Sequence, residues 1–380
     1  MIKVSKRLEW VQEYYFSKKL REVRQLIDQG EDIINIGIGS PDLPPPAAAS
    51  EALLRALQKQ NVHQYQAYKG IPQLRQGIAD FYQRHHHVNV DPDTQVLPLM
   101  GSKEGIMHIS MAFLNPGDQV LIPNPGYPSY ASVCKLVQAE PVFYNLKESN
   151  AWLPNIEELQ SLDLDRIKLM WINYPNMPTG ARANRSLFRN LIKFTNENGI
   201  LLVNDNPYSF ILNEDPSSLL QEAKPEDHCL ELNSLSKTFN MAGWRVGMLT
   251  GNAKHIESVL KVKSNMDSGM FLGVQEGAIE ALKTGNEWLE NLNETYRTRR
   301  KVLWQIAEKL QCTFDKNSTG LFVWAKIPKP FSSVSFADYL LEEYKIFAPP
   351  GTIFGSGGEN YIRFSLCSSM SNLEKVLKRL

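Results

Sequence analysis

From Gln95 to Thr250, short apolar runs alternate with amphipathic segments, and no other feature of the chain constrains its fold as tightly. The runs fall at Val96 to Met100, Val120 to Ile122, Val142 to Leu146, Leu169 to Tyr174, Ile200 to Val203, Leu230 to Leu232 and Val246 to Thr250. Runs this short, rich in Val, Ile and Leu and separated by helical patterns, read as strands buried on both faces. Their alternation predicts an α/β unit with a mostly parallel sheet flanked by helices.

Outside this region the pattern changes. Residues 8 to 29 carry a helical apolar set (Tyr15, Phe16, Leu20, Val23, Leu26, Ile27) ended by Gly30. Asp32 to Ile38 reads as a short strand entering a Gly/Pro loop, with helices expected after Ser50 and from Gly70 through Tyr82. The Gly37-Ile-Gly39 pair is no dinucleotide fingerprint, because Pro41 and the following prolines prevent the helix such a fingerprint must open. It reads as backbone able to approach a ligand closely. Beyond about residue 285 come a long charged helix (Glu287 to Leu310), short strands at Gly320 to Ala325 and Tyr361 to Leu366, and helices around Phe336 to Glu343 and from Asn372. The 380 residues suit two domains. The expected division is a large α/β domain, residues 46–284, and a smaller α+β domain made from residues 1–45, with an amino-terminal arm, and 285–380.

Composition narrows the partners. Lys and Arg total 41 against 41 Asp and Glu, so there is no broad electrostatic case for nucleic acid or an anionic membrane. The four cysteines, Cys134, Cys229, Cys312 and Cys367, lie far apart without a C-x-x-C pair, which suits free thiols rather than zinc. With neither a signal-like amino terminus nor an apolar run of about 20 residues, the expected location is cytoplasmic. His85-His86-His87 cannot all face one ion and is expected on a solvated surface; no metal is expected.

In open α/β sheets ligands bind beyond the carboxyl ends of the strands, so the polar residues after each run carry the chemistry. Gly101-Ser102-Lys103 opens a helix, and its N–H groups form an anion site. Pro123-Asn-Pro-Gly-Tyr127-Pro presents an aromatic ring, Asn204-Asp205-Asn206-Pro207-Tyr208 a carboxylate at a strand end, and Pro175-Asn176-Met177-Pro178-Thr179-Gly180 a rigid turn. Between Glu231 and Glu257 there is no carboxylate, yet Lys237 and Arg245 sit there among Ser234, Ser236 and glycines. A lysine partly desolvated beside another cation has its pKa lowered from about 10.4 and can form a Schiff base. Each residue alone also fits a cap, a core ring or a turn. Together they supply an anion cradle, a stacking ring, a buried acid and a reactive amine.

With Ser234-x-Ser-Lys237, Gly243-x-Arg245-x-Gly247, Pro-Asn-x-Pro-Thr-Gly and Asp205-x-x-Tyr208 in this order and spacing, the chain from about Tyr15 onward resembles the class I/II aminotransferases, fold type I pyridoxal-phosphate enzymes of the aspartate aminotransferase superfamily. The resemblance implies amino transfer between an L-amino acid and a 2-oxo acid by a ping-pong route. Lys237 would form the internal aldimine and shuttle the proton. Asp205 would pair with the pyridine nitrogen, Tyr208 with the phenolic oxygen, and Tyr127 would stack on the ring. Gly101, Ser102, Lys103, Ser234, Ser236 and Arg245 would hold the phosphate, and Tyr65 would reach the phosphate of a neighbouring subunit, implying a homodimer. Arg363 and the Gly39 N–H would grip the substrate carboxylate. Tyr15, with Tyr14 and Phe16, would close over the substrate side chain, and Lys103 is placed where some relatives contact a distal carboxylate.

The sequence departs from the family at Met177, where most relatives carry an asparagine that donates to the phenolic oxygen; Asn176 is displaced by one residue and is the expected cofactor contact here. A thioether cannot donate, which implies a more basic oxygen and a higher aldimine pKa. Two other functions remain open on the same scaffold: β-elimination at a carbon–sulfur bond, and a cofactor-sensing regulator, which would need a fused DNA-binding domain although only about 30 residues precede the Asp32 strand.

Overall fold

The computed structural model describes residues 2–11, 13 and 15–380. Tyr14 and the side chain of Phe16 lie outside the described residues. Twelve strands are labelled in chain order: β1 Ile34–Asn35, β2 Val96–Leu99, β3 Gln119–Asn124, β4 Glu140–Asn145, β5 Ile167–Ile172, β6 Leu201–Asp205, β7 Cys229–Ser234, β8 Gly247–Gly251, β9 Thr313–Phe314, β10 Phe322–Lys326, β11 Ile346–Phe347 and β12 Tyr361–Ser365. Every apolar run identified between Gln95 and Thr250 overlaps one of them.

Strands β2 to β8 form one seven-stranded sheet in the order β2-β8-β7-β6-β5-β3-β4. Only β8 runs against its neighbours; the β3–β4, β3–β5, β5–β6 and β6–β7 pairings are parallel. Helices cover both faces. One face buries Leu97, Val120, Leu169, Val203 and Leu232 against the helix Ser102–Phe113 and its neighbours. The other buries Leu121, Met170, Ile172 and Leu202 against the helix Arg185–Glu197, whose side chains Phe188 and Leu191 are fully enclosed. Since both faces are apolar, the strands are near-continuous hydrophobic runs without alternation, which is why they were legible.

A second apolar cluster joins residues from the two ends of the chain, among them Ile34, Ile36, Tyr296, Leu303, Ile346, Ile362 and Val376. The three-stranded sheet β12-β10-β9 is antiparallel, and the two-residue strands β1 and β11 pair in parallel. The 24-residue helix Asn286–Lys309 lies along this cluster with Leu303, Ile306 and Ala307 turned inward. Met177, Tyr208 and Ile211 belong to the same cluster, so the small sheet packs directly on loops of the large one.

Three expectations differ from the structure. The helical pattern over residues 8–29 is divided into a short 3-10 turn, Lys6–Trp10, and a helix Tyr15–Asp28. The helix expected after Ser50 begins at Ala47, directly after Pro46, whose fixed φ suits a helix entry. The histidine run is not a solvated surface: only His87 is exposed, while His85 and His86 pack their rings against Phe81 and Phe210. Burial pushes both imidazoles down to about 4, which keeps them neutral among the aromatic rings.

Candidate active site

A cavity of about 320 Å³ opens at the carboxyl edge of the large sheet, where the small sheet meets it. It draws Ser102 from the turn after β2, Tyr127 and Tyr130 from beyond β3, Asn173 from beyond β5, Asp205 from the end of β6 and Ser234 from the end of β7. Because β8 is reversed, the residues before it also arrive at this edge. Arg245 therefore stands beside Ser102 although the two lie on separate turns.

At one end the residues suit an anion. The helix Ser102–Phe113 begins here, with its free N–H groups directed outward. Gly101 has φ 91°, and a Cβ there would stand 2.1 Å from Arg245 Nη2, so only glycine lets the guanidinium close in. Ser234 Oγ donates to Ser236 Oγ (2.8 Å) and accepts from the Ser236 N–H (3.1 Å), fixing the two hydroxyls together. Lys103 and Arg245 are the exposed members of this end. Partial desolvation of its amine and the adjacent Arg245 cation lower the Lys103 pKa.

The centre holds an acid and an amine. Asp205 is buried; its Oδ2 accepts from Tyr130 Oη at 2.8 Å, while its Oδ1 is buried without a hydrogen-bond partner. Burial pushes this carboxyl up to about 6, against the Tyr130 hydrogen bond and with the help of the nearby Glu231 charge. Glu231, also fully buried, accepts from Tyr82, Asn204, Ser218 and the Leu219 N–H, which locks β6 to β7 behind Asp205. Lys237 donates from Nζ to the Gly39 carbonyl. Burial, followed by the Arg363 and Arg245 cations, lowers its amine below the ordinary lysine range, while Cys367 acts in the opposite sense. Tyr208 is raised well above the ordinary tyrosine value, chiefly by burial.

At the far end Arg363 is buried between two rings, its guanidinium carbon 3.9 Å from the Phe322 centroid and 4.6 Å from that of Phe354. It donates to the Gly37 carbonyl at 2.8 Å and to Met177 Sδ at 3.3 Å. The Gly37–Gly39 segment is held by β12, whose Ser365 donates from Oγ to the Ile38 carbonyl at 2.7 Å. It is tied from below by the Arg299–Asp42 ion pair at 2.6 Å. Gly39 packs against Phe322, where a Cβ would stand 2.3 Å from the ring.

Of the residues expected at the site, Lys237, Asp205, Tyr208, Ser102, Lys103, Tyr127, Ser234, Ser236, Arg245, Gly39 and Arg363 line this one cavity, and Gly101 packs behind Arg245. Three do not. Asn176 turns its Oδ1 to the Thr179 hydroxyl at 2.7 Å, and the amide lining the cavity is Asn173, four residues before Met177. Tyr65 is 89% exposed and lies away from this chain's own cavity. Tyr15 starts its helix with the charges of Asp338 and Glu22 nearby, and from that helix Leu20 reaches the cavity instead. Sequence reasoning missed Tyr130, Asn173, Leu20, Phe322 and Phe354. Tyr130 follows Tyr127 at helical spacing and could have been found; the rest look like core residues.

The orphaned Asp205 oxygen, the lysine and the cradle of N–H, hydroxyl and guanidinium groups fit a phosphorylated pyridine aldehyde. The family model described as aminotransferase class I and II matches residues 31–380. The chain belongs to that family: it is a pyridoxal-phosphate-dependent aminotransferase of fold type I. Among its relatives is the LL-diaminopimelate aminotransferase of Aquifex aeolicus, 37% identical over 382 residues that cover 100% of this chain and 99% of the relative. Another, from Dehalococcoides mccartyi strain BAV1, is 40% identical and covers 100% and 98%. Among solved structures, apo-BacF from Bacillus subtilis superposes with a TM-score of 0.95 at 37% identity, covering 100% of this chain and 98% of that one. Aspartate aminotransferase from Thermus thermophilus with maleate gives 0.93 at 28% identity, covering 100% and 99%. These relatives support amino transfer over the elimination and regulator readings.

Proposed function

We propose that Lys237 is the catalytic amine of this aminotransferase, and the observation that carries the reading is its place in one cavity with the unpartnered Asp205 oxygen and the Ser102–Ser234–Arg245 cradle. Pyridoxal phosphate, when bound, supplies an electron sink and a temporary carrier for the amino group. Asp205 Oδ1 would hold the proton of the ring nitrogen. Tyr208, held protonated by burial, would donate to the phenolic oxygen, and Tyr127 would flank the ring. Ser102, Lys103, Ser234, Ser236 and Arg245 clamp the phosphate, with Gly101 making room. Asn173, whose amide donates to the Asp205 carbonyl and accepts from the Met177 N–H, would border the ring in place of Asn176.

Arg363 grips the substrate carboxylate together with the Gly39 N–H, and a planar fork pinned by two rings presents that grip without reorganising. Lys237, its amine lowered by burial, is placed to take the α-proton and return it. The donor and acceptor are an L-amino acid and a 2-oxo acid; LL-diaminopimelate, named for the relatives, is one donor to test.

We further read residues 46–284 as the large domain and residues 1–45 with 285–380 as the small one, supported by the apolar cluster that joins both chain ends. A homodimer is supported by the exposed Tyr65 and by the exposure of Lys103 and Arg245 at the anion end, where a partner's tyrosine would complete the clamp. Four cysteines without disulfides support a cytoplasmic location; among the described residues no helix is long and apolar enough to cross a membrane. The test is a half-reaction. An amino donor alone converts the aldehyde form, followed by its visible absorbance, to the amine form, and a 2-oxo acid restores it. Absence of conversion with every donor tried overturns the reading.

A further inference from the structure

We infer that Glu104 and His108 are positioning residues for the phosphate end of the cavity, holding from behind a turn whose forward N–H groups must stay free; this rests on the reading of that end given above. The sheet delivers the turn after β2 to the cavity, and the helix Ser102–Phe113 starts there with Gly101 as its cap. A serine or aspartate cap would bond its side chain to the N–H of Lys103 or Glu104. Those donors would then be lost to an anion. Glycine leaves them open, and no side chain caps this helix from position 101. Glu104 secures the turn instead, from the third helical position. Its Oε2 accepts from the Met100 N–H at 2.5 Å, one residue ahead of where a capping box reaches. Its Oε1 meets His108 Nε2 at 2.8 Å, one helical turn further on. A carboxylate only accepts, so the ring donates.

With both oxygens engaged, Glu104 is not among the residues that line the cavity, although it follows Ser102 and Lys103, which are. Free to swing forward, its charge would oppose an incoming phosphate. On the other side β8 presses on the same turn: a Cβ at Gly247 would stand 2.6 Å from the Ser102 nitrogen. The turn is thus gripped between β8 and the Glu104–His108 pair. His108 is buried, and an oxygen of Asp267 lies within 4.8 Å of the facing atoms of both residues. Asp267 is fixed in turn by the Gly269 N–H at 2.8 Å and by Lys263 Nζ, 2.9 and 2.7 Å from its two oxygens. Glu104, His108 and Asp267 also have the makings of a cation site. The ammonium of Lys263 already supplies the positive charge there, so positioning is the better account.

Binding of two aldehydes to the cofactor-free protein, followed by visible absorbance, separates positioning from general support of the helix. Pyridoxal phosphate reports on the phosphate end, whereas pyridoxal, lacking the phosphate, reports on Lys237 and the ring site alone. Glu104→Ala should weaken pyridoxal phosphate about 10-fold and leave pyridoxal within about 2-fold of the wild type. Glu104→Gln keeps an acceptor for the Met100 N–H and should restore most of the affinity. His108→Leu removes the donor to Oε1 and should reproduce part of the loss, again for pyridoxal phosphate alone. If Glu104→Ala does not fold, the glutamine and leucine variants carry the same comparison. Equal losses for both aldehydes, or losses for neither, overturn the inference and leave the phosphate end where it is placed. A wild-type protein that binds the two aldehydes equally would instead overturn that placing, and the inference with it.

Discussion

The two ends of the cavity are built on opposite plans. The anion end comes from short contiguous phrases, Gly101–Lys103 and Ser234–Arg245, set at strand ends, and its charged members remain exposed. The substrate end is assembled from residues far apart in the chain (Leu20, Ile38, Met177, Phe322, Phe354 and Arg363), and its arginine is buried. The first relies on backbone dipoles and hydroxyls that the sheet positions automatically. The second depends on the small sheet docking correctly, because Arg363 is buried where that sheet meets the large one. Substitutions at the anion end should therefore act locally on cofactor retention, and those at the substrate end should act on substrate affinity and on domain packing together.

The largest effect is expected between the ends. Lys237→Ala should abolish transamination, lowering the single-turnover rate by more than about 10⁴-fold, since it removes both the nucleophile and the proton carrier. At the substrate end, Arg363→Ala should weaken kcat/KM by about 2–5 kcal/mol, mainly through KM. At the anion end, Arg245→Ala should cost less, about 1–3 kcal/mol in cofactor affinity, because its site is exposed and the hydroxyls remain. If the two losses were equal when measured by substrate titration and cofactor dialysis, the contrast between buried and exposed grips would fail.

Asp205 gives a pH test of comparable size in the cofactor-free protein. Its folded pKa of about 6 lies above the ordinary 3.8. The folded state therefore holds the proton more tightly, and stability falls as pH rises from about 4 to about 6. Asp205→Asn should flatten that fall and raise stability at pH 7 by up to about 3 kcal/mol, measurable by urea unfolding across this range. The smallest effect is expected from Met177→Asn. Adding a donor toward the phenolic oxygen should move the visible-absorbance titration of the loaded enzyme to lower pH. No shift would mean that position 177 does not set the basicity of that oxygen.

The same contrast explains what could be read from the sequence. The seven-stranded sheet was legible because strands buried on both faces advertise themselves as apolar runs, and the anion end because its residues are neighbours in the chain. Arg363 came only through resemblance, as did the carboxylate role of Gly39, whose segment the residues alone marked only as backbone able to approach a ligand. Leu20, Phe322 and Phe354 were not legible at all: an apolar residue facing a cavity has the same local pattern as one facing the core. Asn176 was named from its place in the family phrase, one residue before Met177, whereas the amide that lines the cavity, Asn173, stands three residues earlier at the start of the turn. The histidine run was misread because polarity was taken for exposure, while the aromatic surface beneath it lies more than a hundred residues away at Phe210.

The reversed strand β8 has one more consequence. Ser234 and Gly247 are register partners across β7 and β8, so the segment between them is a loop closed at both ends by the sheet itself. Lys237 and Arg245 both lie inside it. Their separation is thus set by loop length and ladder register, independently of how the two halves of the molecule move. An insertion of even one residue in this loop would pull the amine and the guanidinium out of step while leaving the sheet intact, giving a protein that folds, keeps its shape and has lost the match between its reactive centre and the group that anchors it.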